Sequence, residues 1–92
     1  MALSGQKTVT TAGTAVALGT QLIAGPILVK ALPSNTDLVY VGNDGASDVT
    51  SSNGYPLAAS EQVILEHVPN LSNVYVDSAV NGEGVAWIAL DI

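Results

Sequence analysis

The chain has no cysteine, no arginine and no phenylalanine, and it holds only one histidine, one tryptophan and one methionine. Without cysteine there is neither a disulfide framework nor a thiolate metal site. The lack of arginine leaves Lys7 and Lys30 against eight acidic residues, a formal net charge of −6. Phosphate binding draws its strength from Lys and Arg displacing counterions, so nucleic acid is a poor partner for such a chain. The missing phenylalanine means that a hydrophobic content of 48% rests mainly on Ala, Val and Leu. Ninety-two residues make one domain with a modest core, and small core side chains call for help from neighbours, by oligomerisation or by docking on a larger surface.

Long apolar runs are scarce as well. Met1–Lys7 lacks the basic stretch followed by an apolar run that a signal peptide needs. The uncharged segment from Thr8 to Val29 has the length of a membrane span, but its threonines, its glycines, Gln21 and Pro26 interrupt any continuous apolar surface. No membrane partner is expected.

What is present is a strand-and-turn pattern. Val, Thr, Ile and Tyr recur in short runs bounded by Gly, Pro, Asn, Asp and Ser. Strands are predicted near Gln6–Thr11, Thr14–Leu18, Ile27–Leu32, Leu38–Val41, Gln62–Val68, Asn73–Val76 and Val85–Leu90. Seven or eight short strands make a small all-β domain, an antiparallel β-sandwich or a jelly-roll-like barrel. Asn53-Gly54 and Asn81-Gly82 suit the positive φ angles of tight turns, the latter joining the strand around Val74–Val76 to the last one. Pro33, Pro56 and Pro69 stand at the ends of apolar runs, and Pro26 opens its strand.

Two runs carry more than fold information. In Val85-Ala86-Trp87-Ile88-Ala89-Leu90 both faces are apolar, as expected of a strand covered on two sides, either by the sandwich itself or by a subunit or host surface. Leu38-Val39-Tyr40-Val41 and Asn73-Val74-Tyr75-Val76 each place a tyrosine between valines, so the valines share one face and the tyrosine takes the other. Tyr40 and Tyr75 are therefore candidate anchors for a partner.

Residues for catalysis are not arranged for it. His67 falls in step with Val63 and Leu65 on a predicted strand and reads as a half-buried structural histidine. There is no Gly-x-Ser-x-Gly elbow and no Gly-rich loop followed by Lys and Ser or Thr. Glu61 and Glu66, five apart on a strand, face opposite sides and make no acid–base pair. Gly42–Asp48 is rich in hard oxygens but lacks the EF-hand spacing, and it reads as a soluble acidic turn. The expectation is a protein that is not an enzyme, with no cofactor and no metal.

The order of segments also resembles a known group. Val9-Thr10-Thr11-Ala12-Gly13-Thr14-Ala15-Val16-Ala17-Leu18-Gly19, then an Ile/Val strand, then Val39-Tyr40-Val41-Gly42, Ser52-Asn53-Gly54-Tyr55-Pro56-Leu57, Val63-Ile64-Leu65, Asn73-Val74-Tyr75-Val76-Asp77 and Asn81-Gly82-Glu83-Gly84-Val85 look like the small β-rich virion structural proteins of tailed bacteriophages. Within that group the chain is most like a head decoration, or cement, protein. The resemblance implies a protein made in the host cytoplasm that binds the outer surface of the phage head and stabilises it. Its partner would be the major capsid protein or another virion protein, and it would work as a homo-oligomer, a trimer first of all. A tail, baseplate or connector component, or a β module for a receptor or carbohydrate, are the alternatives. On this resemblance residues 1–7 are a candidate arm with Leu3 as its apolar contact, ahead of a β domain spanning 8–92. Leu22 and Ile23 beside Pro26 form a candidate intersubunit patch, and Trp87 joins Tyr40 and Tyr75 as a candidate interface residue.

Overall fold

The computed structural model describes residues 3–90. Eight strands run in chain order: β1 (Leu3–Thr8), β2 (Val16–Ala17), β3 (Ile27–Ala31), β4 (Val39–Gly42), β5 (Tyr55–Leu57), β6 (Gln62–Leu65), β7 (Tyr75–Ser78) and β8 (Gly84–Ala89). One turn of 3-10 helix, Leu71–Asn73, precedes β7. Two four-stranded antiparallel sheets result, ordered β1-β8-β3-β6 and β2-β7-β4-β5. The fold is therefore all-β, a small antiparallel sandwich. The pairs β1·β8, β2·β7, β3·β6 and β4·β5 are nested, as in one long hairpin rolled up on itself. That nesting is jelly-roll connectivity. Among the described residues no helix is long and apolar enough to cross a membrane.

The core lies between the sheets. Alternation along each strand turns Ile27, Val29 and Ala31 of β3 and Val85, Trp87 and Ala89 of β8 towards Val39 and Val41 of β4, Leu57 of β5 and Val76 of β7. Val9, Leu18, Ile23, Val68, Leu71 and Val74 close the ends from the connections. Trp87 is the one large ring, and its room is made by Gly5 on the paired strand: a Cβ there would stand 2.9 Å from Trp87 Cζ2.

Several expectations are corrected by this arrangement. The segment expected to be an arm is, from Leu3 on, the edge strand β1, whose residues from Leu3 to Thr8 are registered against Ala89 to Gly84; Met1 and Ala2 lie outside the described residues. Leu3 is half-buried and packs against the core. Tyr55–Leu57 is a strand that the proline concealed, placed at a sheet edge where Pro56 forfeits no ladder bond. Asn81-Gly82 does turn the chain, with Gly82 at φ 84°, but it carries β7 in one sheet over to β8 in the other and closes no hairpin. Gly54 has no left-handed backbone; it is glycine for space, since a Cβ would stand 2.6 Å from Tyr40 Cβ and 2.7 Å from Val49 Cγ2. His67 lies beyond the end of β6 and is exposed.

Candidate docking face

The outer faces of the two sheets differ in kind. On β2-β7-β4-β5 the chain's own loops come down onto the strands. Asp77, opposite Tyr40 on that face, is only 3% exposed because the 9–15 connection crosses it and the Gly13 N–H donates to its Oδ1 at 2.9 Å. Ala12 N–H is held in the same connection by Asn81 Oδ1 at 2.7 Å. The long β4–β5 loop folds back and buries Val49 beside Gly54 and Tyr40, apart from the main core.

No described connection roofs β1-β8-β3-β6 in this way. Its outer face shows Ser4, Gln6 and Thr8 of β1, Lys30 of β3 and Gln62 and Ile64 of β6 as exposed residues. Three of its strands, β3, β6 and β8, carry apolar residues on both faces, so apolar side chains appear where a solvated sheet would alternate to polar ones. Register sets Ile88 opposite Leu28 across β8 and β3, and Leu28 opposite Ile64 across β3 and β6. Neighbouring strands stand about 4.8 Å apart, so these three form an unbroken apolar row roughly 10 Å long. Ile64 is 56% exposed, while Leu28 and Ile88 are half-buried. Leu90 extends the patch: its N–H donates to Pro26 O at 3.0 Å, and its side chain is 49% exposed. On the other side of the row stand Gln6, Ala86, Lys30 and Gln62, and a shallow depression lies over Leu28, Lys30, Ala86 and Ile88. Lys30 is the only charged residue on the outer face of these four strands, and carboxylates stand only at their ends, Glu61 and Glu66 on either side of β6 and Glu83 ahead of β8.

The residues expected to make contacts are not gathered at this face. Trp87 is 8% exposed and Ile23 also 8%, both in the core, because Trp87 shares the inward parity of Val85 and Ala89 and Ile23 is drawn in by its N–H bond to Pro69 O. These two are not surface contacts. Leu22 is 79% exposed on a connection bridged to Asn70, and Pro26 is half-buried next to Leu90. Tyr40 and Tyr75 do share one face of adjacent strands, as their spacing between valines required, but that is the loop-covered sheet, and both are half-buried. Ile88 and Leu90 lie on the second face of the run Val85–Leu90, for which a subunit or host surface was one of the two expected covers, whereas Leu28 and Ile64 were not among the expected contacts. The signal was the unbroken apolar character of Ile27-Leu28-Val29 and Val63-Ile64-Leu65, the same feature recognised in β8.

Polar groups are turned inward on the protein's own backbone. Asn43 Oδ1 accepts from Gly45 and Ser47 N–H, Asp44 Oδ1 from Ala46 N–H and Asp48 Oδ1 from Val49 N–H, so the acidic loop caps itself. Among the described residues no group of three His, Asp or Glu side chains could hold a metal ion. Glu83 is the most engaged carboxylate. It accepts from Thr36 Oγ1 and Thr36 N–H, both at 2.7 Å, and from Asp37 N–H at 3.3 Å. The Thr36 hydroxyl foremost, then the backbone N–H groups, hold its carboxyl below the usual range. This clamp ties the β3–β4 connection to the β7–β8 crossover. Comparison with protein-family models, with curated proteins and with solved structures finds no match.

Proposed function

We propose that the chain is a structural virion protein of a tailed bacteriophage, a decoration protein that binds the outer surface of the head and stabilises it, and that the β1-β8-β3-β6 face is the surface it binds with. The observation that carries this reading is the row Ile88, Leu28 and Ile64 with Leu90 beside it, apolar and accessible on a chain of net charge −6. A contiguous apolar patch on a small domain marks an interaction surface, and flat strands suit a flat partner. The choice of a phage head as that partner rests on the likeness of segment order to virion proteins. Acidity on the remaining surface suits an exterior position, away from packaged DNA.

The test is co-sedimentation with expanded heads of the phage that encodes the protein. Ile64→Glu places an unpaired carboxylate in the contact, costing more than about 1.4 kcal/mol and weakening binding at least tenfold. Tyr55→Ser alters an exposed aromatic on the other sheet and leaves binding unchanged. Equal binding by Ile64→Glu and the parent chain would remove this face from the proposal.

A further inference from the structure

Each sheet has two edges, and three of the four are poor templates for another strand. Edge β2 has two residues, β5 contains Pro56, and β6 has four residues flanked by the exposed carboxylates of Glu61 and Glu66. Natural sheets guard their edges with short strands, proline and charge in this manner. Edge β1 is different: it is six residues long, with no proline and with Lys7 as its single charge. Among the described residues no strand lies beyond it.

The free hydrogen-bonding groups of β1 follow from the ladder. Leu32 N–H bonds Gly84 O and Leu90 N–H bonds Pro26 O, so the even residues of β8 face β3 and the odd ones face β1. Val9 N–H bonding Glu83 O puts the odd residues of the first strand on the β8 side. The N–H and C=O of Ser4, Gln6 and Thr8 therefore point away from the sheet.

We infer that the chain forms a two-fold dimer by antiparallel pairing of β1 with the β1 of a second copy. One register satisfies every free group: Ser4 opposite the partner's Thr8, Gln6 opposite the partner's Gln6, and Thr8 opposite the partner's Ser4. Each such pair exchanges two backbone hydrogen bonds. The side chains agree with the register. Serine meets threonine on the outer face, a favourable cross-strand pair, and Lys7, the only charge on the strand, meets the partner's Gly5, so no like charges stand opposite. The result is a continuous eight-stranded sheet in which the two apolar rows lie on one surface. A second copy is the occupant because the edge is complementary to itself under a two-fold axis. The inference is independent of the phage reading, since the dimer forms without a head, and of the homo-oligomers that the resemblance allows it takes a two-fold in place of the favoured three-fold one.

Sedimentation equilibrium of the native chain tests it, with a mass twice that of the 9.3 kDa chain expected. Gln6→Pro deletes a free-edge N–H without touching the β8 ladder and gives a monomer of unchanged circular dichroism, whereas Gln6→Ala keeps the backbone donor and stays dimeric. Should Gln6→Pro fail to fold, Gln6→Cys decides. The chain has no other cysteine, and facing Cα atoms in a hydrogen-bonded pair stand about 5.5 Å apart, so a short bis-methanethiosulfonate reagent, which spans the gap between the two thiols without a direct disulfide, links the two copies almost completely. Ala24→Cys, on an exposed connection, stays unlinked under the same conditions. A monomeric or trimeric native chain, an undiminished dimer for Gln6→Pro, or no cross-link through Cys at position 6 would each overturn the inference.

Discussion

At Gly84 the absence of one methyl group lets two strands meet, because a Cβ there would lie 2.1 Å from the Lys7 carbonyl oxygen and 2.7 Å from Thr8 Cα. Both are backbone atoms of β1 and neither yields by changing a rotamer. The same glycine is held from the other side by Asn35, 8% exposed, whose Nδ2 donates to Gly84 O at 2.9 Å while its Oδ1 accepts the Gly84 N–H. Gly84→Ala is accordingly expected to lower stability by about 3 kcal/mol or more, seen as a reduced urea midpoint. Gly82→Ala, where a Cβ meets open space but φ is 84°, costs about 1 kcal/mol in the same measurement. Glu83 supplies the acid sensitivity. Its carboxyl is held below its unfolded value of 4.5, so its stabilisation is fully present above that value and is lost as pH falls through the lower folded value. Glu83→Gln should therefore narrow the difference in urea midpoint between about pH 7 and about pH 3, compared with the parent chain. An unchanged difference would contradict the clamp.

Among the elements, β1 stands out because it is the first strand in sequence and the only partner of β8 on that side. Removing residues 1–6 strips most of the β1 side of the ladder from β8, leaving the β3 side, and uncovers Trp87. The expected outcome is loss of cooperative unfolding and a red-shifted tryptophan emission. A truncated chain that unfolds like the parent would restore the arm reading. Element positions were legible where Val, Ile and Tyr cluster, as in β3, β4 and β8, since side-chain type and alternation there agree. They slipped where backbone chemistry decides. Asn70 accepts the Ser72 N–H at 2.9 Å and caps a 3-10 turn, which delays β7 to Tyr75. Ser4-Gly5-Gln6 has little strand propensity and is a strand because β8 needs a partner and Trp87 needs a glycine opposite. Parity also explains the mixed outcome for contacts: the tyrosines were placed correctly by their valine neighbours, but nothing local told Trp87 which of two apolar faces of β8 was the core.

For the molecule as a whole, the asymmetry of its two sheets is the feature on which the proposed docking rests. One outer face is dressed by the protein's own loops, with Asp77 and Val49 buried beneath them; the other is left bare and yet apolar along β8, β3 and β6. A core made of Val, Ile, Leu and Ala with a single large ring supplies little surplus stability for 92 residues, and covering the bare face with a partner adds to it by mass action. Docking should therefore raise the thermal midpoint of the chain on heads above that of the free chain, and head binding should fall away together with it in Ile64→Glu. The most direct measurement is the copy number of this protein in purified phage particles, by quantitative mass spectrometry against the major capsid protein. A fixed ratio set by the lattice of the head, lost when the particles are stripped of external proteins, is the predicted result; absence from the particles, or a handful of copies confined to the tail, would contradict it.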